Sequence, residues 1–220
     1  MVRTVLLDLD GTLTDPFEGI SRSIVHALDR LGRPAPEGAA LRAWIGPPLR
    51  ESFRRHLGDD AEAERAVAHY RERYADVGLY ENRVYDGIPA ALVALAGAGA
   101  TLVLATSKPR VFAERIVAHF GLAPIAAVYG AELDGRLDDK SALIADIVRQ
   151  RRLAPGAAVM VGDRSHDVVG ARSNGIAVAG VAWGYGSDEE RARHPPDRVV
   201  AVPGDLPAAA AALAGEGDDR

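Results

Sequence analysis

The sequence predicts an α/β fold, a doubly wound parallel sheet of the Rossmann-like kind that carries an inserted helical segment. Three observations carry this reading. Short, nearly continuous apolar runs, the pattern of strands buried on both faces of a parallel sheet, recur along the chain. Helix-length segments separate them, which is the alternation of βαβ units. The stretch from Asp15 to about Tyr85 breaks that alternation and reads as helical. A length of 220 residues, set against about 150 per domain, suits a core of residues 1–14 and 86–220 with residues 15–85 inserted.

Taken in order, Thr4 to Leu9 is the first strand, apolar until acids intrude. Asp15-Pro16-Phe17-Glu18 reads as an N-cap, a Pro at the first helical position and an acid at the capping-box position. Ile20, Ile24, Leu28 and Leu31 then fall on one face before Gly32 stops the helix. Pro47 to Leu57 and Asp60 to Val77 continue the helical insert, and no strand is expected before the turn Tyr85-Asp86-Gly87. The core resumes with helices at Ile88 to Ala98, Pro109 to Phe120, Asp139 to Arg152 and Ser165 to Asn174. Strands are expected at Thr101 to Thr106, Ala126 to Tyr129, Ala157 to Val161 and Ile176 to Ala182. An Ala-rich helix follows Pro203, and the final Gly-Glu-Gly-Asp-Asp-Arg is expected to fray. An insert placed directly after the first strand lies over the carboxyl ends of the sheet, where open α/β sheets bind ligands.

Composition narrows the function. A net charge of −5 supplies no broad positive field, so nucleic-acid and anionic-membrane partners are disfavoured, while a local site for a small-molecule phosphate ester stays open. The absence of Cys removes disulfides, thiolate nucleophiles and Cys-ligated zinc, and fits a reducing, cytoplasmic setting. Met1-Val2-Arg3 runs straight into the first strand, so no secretory signal is expected, and no run of about 18 apolar residues suggests a membrane span. A monomer or homodimer is expected. Of the 26 basic residues only Lys108 and Lys140 are Lys. In a chain that otherwise uses Arg, both positions call for a local reason.

Four clusters carry the chemistry. Asp8 and Asp10, spaced i, i+2 at a strand end, share a side, and burying two like charges costs several kcal/mol unless a cation or proton compensates. They read as nucleophile and Mg2+ ligand (Asp8) and general acid/base (Asp10), with Gly11 allowing close approach of a phosphate; a solvated strand-to-turn junction is the alternative. Thr106 and Ser107, before Lys108-Pro109, present hydroxyls and free N–H groups to one anion, or are simply N-caps. Lys140 opens a helix, against the helix dipole, which suggests phosphate neutralisation or else pairing with Asp138 and Asp139. Gly162-Asp163 ends another strand, with Asp167 four residues on. Asp8, the Asp10 carbonyl and Asp163, supported by Asp167, make a hard oxygen set suited to Mg2+, although an Asp N-cap is common at such turns.

Together, Asp8-Leu9-Asp10-Gly11-Thr12, Thr106, Lys140 and Gly162-Asp163-(three residues)-Asp167 resemble, in order and placement, the four motifs of the haloacid dehalogenase-like (HAD) superfamily. The resemblance covers nearly the whole chain. The insert looks like that superfamily's C1 cap. Ile45-Gly46-Pro47-Pro48-Leu49 and Ala105-Thr106-Ser107-Lys108-Pro109 look like its phosphoglycolate phosphatase branch. The resemblance implies that Asp8 attacks phosphorus to give an aspartyl-phosphate, that Asp10 protonates the leaving oxygen and later activates water, and that Thr106 and Lys140 hold phosphoryl oxygens.

Other chemistries fit less well. Dehalogenases lack the second motif-one Asp, whereas Asp10 is present. Phosphonoacetaldehyde hydrolases need a cap lysine, and 15–85 contains none. The same absence weakens a β-phosphoglucomutase-like phosphotransferase. A dinucleotide-dependent oxidoreductase needs Gly-x-Gly-x-x-Gly after the first strand, where this chain has Asp-Gly-Thr-Leu-Thr. Ser165-His166-Asp167 is a triad in composition only, since triad members come from separate segments. His26, His56, His69, His119 and His194 show no metal-ligand spacing. Hydrolysis of a phosphate monoester is the expectation, with phosphoglycolate as first substrate and a 5'-nucleotidase, pyrophosphatase or broad sugar-phosphate phosphatase as alternatives. The substrate is expected to be read by Ile45, Gly46, Arg50 and Lys108, with Trp44, Arg54 and Arg55 as further contacts; Lys108 is expected to orient the lid or the far end of the substrate, and the insert to be a mobile lid whose 45–49 loop, a kinked and stiff tip, enters the site.

Overall fold

The computed structural model describes residues 4–154 and 156–215; the N-terminal approach to the first strand and most of the frayed tail expected above lie outside them. Six parallel strands form the main sheet in the order β5-β4-β1-β6-β7-β8: β1 (Thr4–Leu7), β4 (Thr101–Pro109), β5 (Ile125–Ala131), β6 (Ala158–Gly162), β7 (Ala177–Val181) and β8 (Arg198–Val200). A separate antiparallel pair, β2 (Thr14–Asp15) with β3 (Arg83–Val84), was not expected. Nor was β8. Strands of two or three residues are too short to show a periodicity.

The chain leaves β1 for β4 on one side and later returns to β6 on the other. β1 is therefore the point where strand order reverses, and its carboxyl end opens into the crevice where such sheets bind ligands. Alternation along β1 feeds two cores: Val5 and Leu7 face one side, Leu6 the other. On the Leu6 side lie α7 (Lys140–Arg151) and α8 (Ser165–Arg172), through Leu143, Ile144, Ile147, Val168 and Ala171. On the Val5 side lie α5 (Ile88–Gly97), α6 (Arg110–His119) and α10 (Leu206–Gly215). A short α9 (Asp188–Arg193) precedes β8. Both sheet faces are covered, as an all-parallel sheet requires.

Between β2 and β3 run α1 (Phe17–Arg30), α2 (Ala39–Arg42), α3 (Leu49–Leu57) and α4 (Asp60–Arg73), and α4 continues into a π-helical turn, Tyr74–Gly78. α1 begins at Phe17 with Pro16 in the cap position, one residue later than expected; Asp15 still accepts the Phe17 N–H at 3.2 Å, but Glu18 pairs with Arg22 and closes no capping box. The apolar face of α1 (Ile20, Ile24, Ala27, Leu28) meets Phe53 of α3 and Ala63, Ala66, Val67 and Tyr70 of α4 in the same apolar cluster that underlies α5 and α6. α1 and the π turn meet backbone to backbone: a Cβ on Gly19 would lie 1.9 Å from the Gly78 carbonyl oxygen. Glu81 seals this junction, accepting from Arg22 at 2.7 Å and from Arg73 at 2.7 and 2.9 Å. Among the described residues, no helix is long and apolar enough to cross a membrane.

Candidate active site

The first elements of the site come from two neighbouring strand ends and the start of a helix. Asp8 follows β1, Asp163 follows β6, and Asp167 lies in the first turn of α8; oxygens of the three carboxylates all lie within 4.8 Å of one another, and all three residues are buried. Lys140, the first residue of α7, reaches across from the adjoining helix. Its Nζ donates to Asp8 Oδ1 and to the Ala105 carbonyl, each at 2.9 Å, and lies 2.9 Å from Asp167 Oδ1. Burial alone would lower the lysine pKa, but Asp167 and Asp8 outweigh it and hold the group above its ordinary value. Lys140 thus pairs with Asp8 and Asp167 and not with its sequence neighbours. Asp139 is instead the cap of α7, accepting the Ala142 N–H at 2.9 Å.

Three buried carboxylates against one ammonium leave negative charge uncompensated. Burial first, then the charges of Asp167 and Asp8, push Asp163 up to about 8. Burial likewise raises Asp167. A cluster of hard oxygen donors that resists ionisation together is a place where a divalent cation would replace the missing positive charge. Asp163 is oriented by two residues the sequence reading did not single out: Thr12 Oγ1 donates to Oδ1 at 3.2 Å, and the Tyr185 N–H donates to Oδ2 at 2.7 Å. Gly11 is required here by its own surroundings. Its N–H is taken by the Thr14 carbonyl at 2.8 Å, and its positive φ of 83° and a 2.4 Å approach of Asp163 Oδ2 to its missing Cβ explain the glycine without a phosphate.

Asp10 stands apart from this cluster. Its Oδ2 lies 2.8 Å from Lys108 Nζ, and its Oδ1 is buried without a hydrogen-bond partner. Burial raises its pKa above the ordinary range, against the lowering pull of Lys108. Lys108 was expected to orient the cap or the far end of the substrate. It is buried against Asp10 and donates to the Tyr74 hydroxyl of the π turn, so it does reach the insert. The register between β4 and β5 shifts between Thr106 and Pro109, so regular alternation does not tell where Lys108 points.

Above Asp8 and Asp10 opens a cavity. Thr106, Ser107 and Lys108 line it at the strand ends, and Trp44, Leu49, Val67, Tyr70, Tyr74 and Phe112 give it an apolar, largely aromatic wall. Gly46 and Arg50 of the expected cap contacts line it as well, but Arg50 is engaged by Glu64 in a bidentate pair. Ile45 does not line the cavity. It is a core residue, 1% exposed, whose carbonyl accepts from Arg164 of the core, so the loop tip is tied down at that point. Arg54 pairs with Asp60 on the surface and Arg55 is exposed, so neither contributes to the cavity wall.

Six parallel strands, reversed in order at β1 with acids at the reversal, define the class. The chain belongs to the haloacid dehalogenase-like hydrolase family, whose model matches residues 5–181. Among curated proteins it is 51% identical over 199 residues, 90% of each chain, to a 5'-nucleotidase of Pseudomonas aeruginosa. It is 44% identical over 183 residues to the tyrosine-protein kinase PtkA of Mycobacterium tuberculosis, covering 83% of this chain but only 62% of that one. A phosphoglycolate phosphatase of Pseudomonas aeruginosa is more distant, 29% identical over 90% of this chain and 76% of its own. A crystal structure of a predicted phosphatase from Clostridium acetobutylicum superimposes with a TM-score of 0.91 at 38% identity, over 95% and 98% of the two chains.

Proposed function

We propose that this protein is a Mg2+-dependent phosphomonoesterase in which Asp8 forms an aspartyl-phosphate, and that its substrate is a phosphate ester with a bulky, partly apolar body, a nucleoside 5'-monophosphate in preference to phosphoglycolate. The cavity wall carries this reading. Phosphoglycolate would leave the wall of Trp44, Tyr70, Tyr74 and Phe112 uncovered, and Arg50, a cation on that wall, is already held by Glu64. A nucleoside presents an apolar sugar face and a flat base, and aromatic rings such as Tyr70 and Phe112 bind flat groups well. The 51% identity to a protein named 5'-nucleotidase supports the same choice.

The roles follow from the geometry. Asp8 Oδ1 is held by Lys140, which leaves its other oxygen to attack phosphorus in line. Thr106 and Ser107 hydroxyls border the place the phosphoryl oxygens would take. Asp10, whose burial raises its pKa, can pass a proton to the leaving oxygen and then withdraw one from water in the second step. Mg2+ held by Asp8, Asp163 and Asp167 would supply positive charge where the transferred group spreads its negative charge. Residues 15–85, read as a cap, exclude water above this centre.

The test is a panel of nucleoside monophosphates, phosphoglycolate, pyrophosphate, sugar phosphates and phosphotyrosine, assayed with and without Mg2+. Nucleoside monophosphates should show the highest kcat/KM, and Asp8→Asn should abolish turnover. Phosphoglycolate hydrolysed best would overturn the substrate, and hydrolysis retained by Asp8→Asn after deamidation is excluded would overturn the nucleophile.

A further inference from the structure

The acid/base is not held by the sheet alone. Three elements far apart in the chain meet at it: Asp10 after β1, Lys108 near the end of β4, and Tyr74 from the π-helical turn of the insert. Lys108 Nζ lies 2.8 Å from Asp10 Oδ2, donates to the Tyr74 hydroxyl and sits 4.6 Å from the centre of the Tyr74 ring. With Oδ2 so engaged, Asp10 Oδ1 is the carboxyl oxygen left without a partner. Tyr74 is itself fixed on every side. It is fully buried, stacked on Tyr70 at 5.0 Å and 17°, and met edge-on by Phe112 at 5.5 Å and 72°. The π turn that carries it ends at Gly78, pressed on Gly19 of α1.

An isolated ammonium near a carboxylate would swing among rotamers, because a lysine stem has four rotatable bonds. A second, rigid acceptor removes that freedom. We infer that Tyr74 is a positioning residue of the reaction: through Lys108 it fixes Asp10 with Oδ2 occupied and Oδ1 turned toward the leaving oxygen, so the acid is complete only while the insert is seated on the core. The inference rests on the phosphatase reading above and goes beyond it by giving the insert a part in proton transfer as well as in substrate recognition.

A missing proton donor matters where the leaving group is poor and hardly at all where it is good. Phenyl phosphate and p-nitrophenyl phosphate have nearly the same shape, and phenol is the far worse leaving group. Their kcat/KM values report the first transfer to Asp8, free of the later hydrolysis. Tyr74→Phe keeps the ring and its stacking and removes only the hydroxyl. It should lower kcat/KM for phenyl phosphate about tenfold while that for p-nitrophenyl phosphate stays within about twofold, with an unchanged thermal melt. Lys108→Met should show the same pattern more strongly, and Tyr74→Phe added to Lys108→Met should cost nothing further, because a residue acting through Lys108 has nothing left to act on. Equal losses on both esters, no loss on either, or losses that multiply in the double variant would overturn the inference while leaving the phosphatase reading intact. A wild-type protein inert toward every phosphate ester would overturn both.

Discussion

Lys140 Nζ and Asp8 Oδ1, 132 positions apart in the chain, meet at 2.9 Å in a pocket where each side chain is all but sealed from solvent. The ammonium also donates to the Ala105 carbonyl and lies 2.9 Å from Asp167 Oδ1. Lys140 thereby holds Asp8 and one further acid of the cluster together.

That geometry has no room for a guanidinium. Lys140 packs its stem against Gly170, whose missing Cβ would lie 2.8 Å from Lys140 Cγ. Lys140→Arg should therefore resemble Lys140→Ala, each losing about 10²-fold or more in kcat, measured by steady-state kinetics on variants whose melts are checked. Near-wild-type turnover in Lys140→Arg would show that charge alone suffices there.

The acid cluster makes stability depend on a divalent ion in a direction that can be worked out. Without Mg2+, burial and the charges of Asp167 and Asp8 oppose ionisation of Asp163, and Asp163→Asn relieves that conflict. The variant should melt at or above the wild-type temperature in chelator. In millimolar Mg2+ the order should invert, because binding to the folded state raises only the wild-type Tm. The pair of melting curves is the measurement, and identical Mg2+ shifts in both proteins would dissociate Asp163 from the metal.

Glu81 should give the insert an acid-sensitive seam. Arg73 and Arg22 lower its pKa to about 2, against a modest opposing effect of burial. A depressed carboxylate contributes stability that is fully present above its unfolded value of about 4.5 and is lost as pH falls toward 2. Glu81→Gln should cost on the order of 1 kcal/mol at pH 7, as expected of a partly solvated pair, and the gap from wild type should close across that window in denaturant titrations.

Gly19→Ala should fail where another glycine-to-alanine change succeeds. At Gly19 a Cβ meets the Gly78 carbonyl at 1.9 Å, with backbone on both sides and no flexible side chain to yield. A loss of several kcal/mol, or failure to fold, is expected. Gly97, at the end of α5, has nothing within 4 Å of its missing Cβ, and Gly97→Ala should be neutral or stabilise by up to about 1 kcal/mol. Thermal melts of the two variants compare them directly.

The sheet and the acids were legible because both obey short-range rules. A buried parallel strand is apolar throughout, and acids at its end stand out against that background, as Asp8 and Asp163 do. Thr12 and Tyr185 were not legible. Each orients Asp163 across more than twenty positions, and Tyr185 does so with a backbone N–H that any residue could supply. Tyr74 resembles an ordinary member of the apolar stripe it shares with Tyr70, and only the π turn reveals where its hydroxyl goes. Lys108 was noticed for its rarity, but its pairing with Asp10 was not legible, because the irregular register at the end of β4 defeats alternation. Ile45 was read from a loop motif as a substrate contact, whereas its burial makes it part of the core.

The central position of β1 bears on how this chain must be made. Its partners on either side are β4, beginning at Thr101, and β6, where Ala158 pairs with Thr4. During synthesis β1 is the first strand of the sheet to emerge, yet it waits for roughly 160 residues to follow before both its edges are covered, at translation speeds of about 5–20 residues per second. For that interval, on the order of ten seconds, Val5, Leu6 and Leu7 are an unpaired apolar strand of the kind that seeks other chains. A ribosome-bound fragment ending before Ala158 would hold Asp8 without Asp163, so nascent chains should bind chaperones strongly and acquire the complete acid cluster only after β6 has joined the sheet.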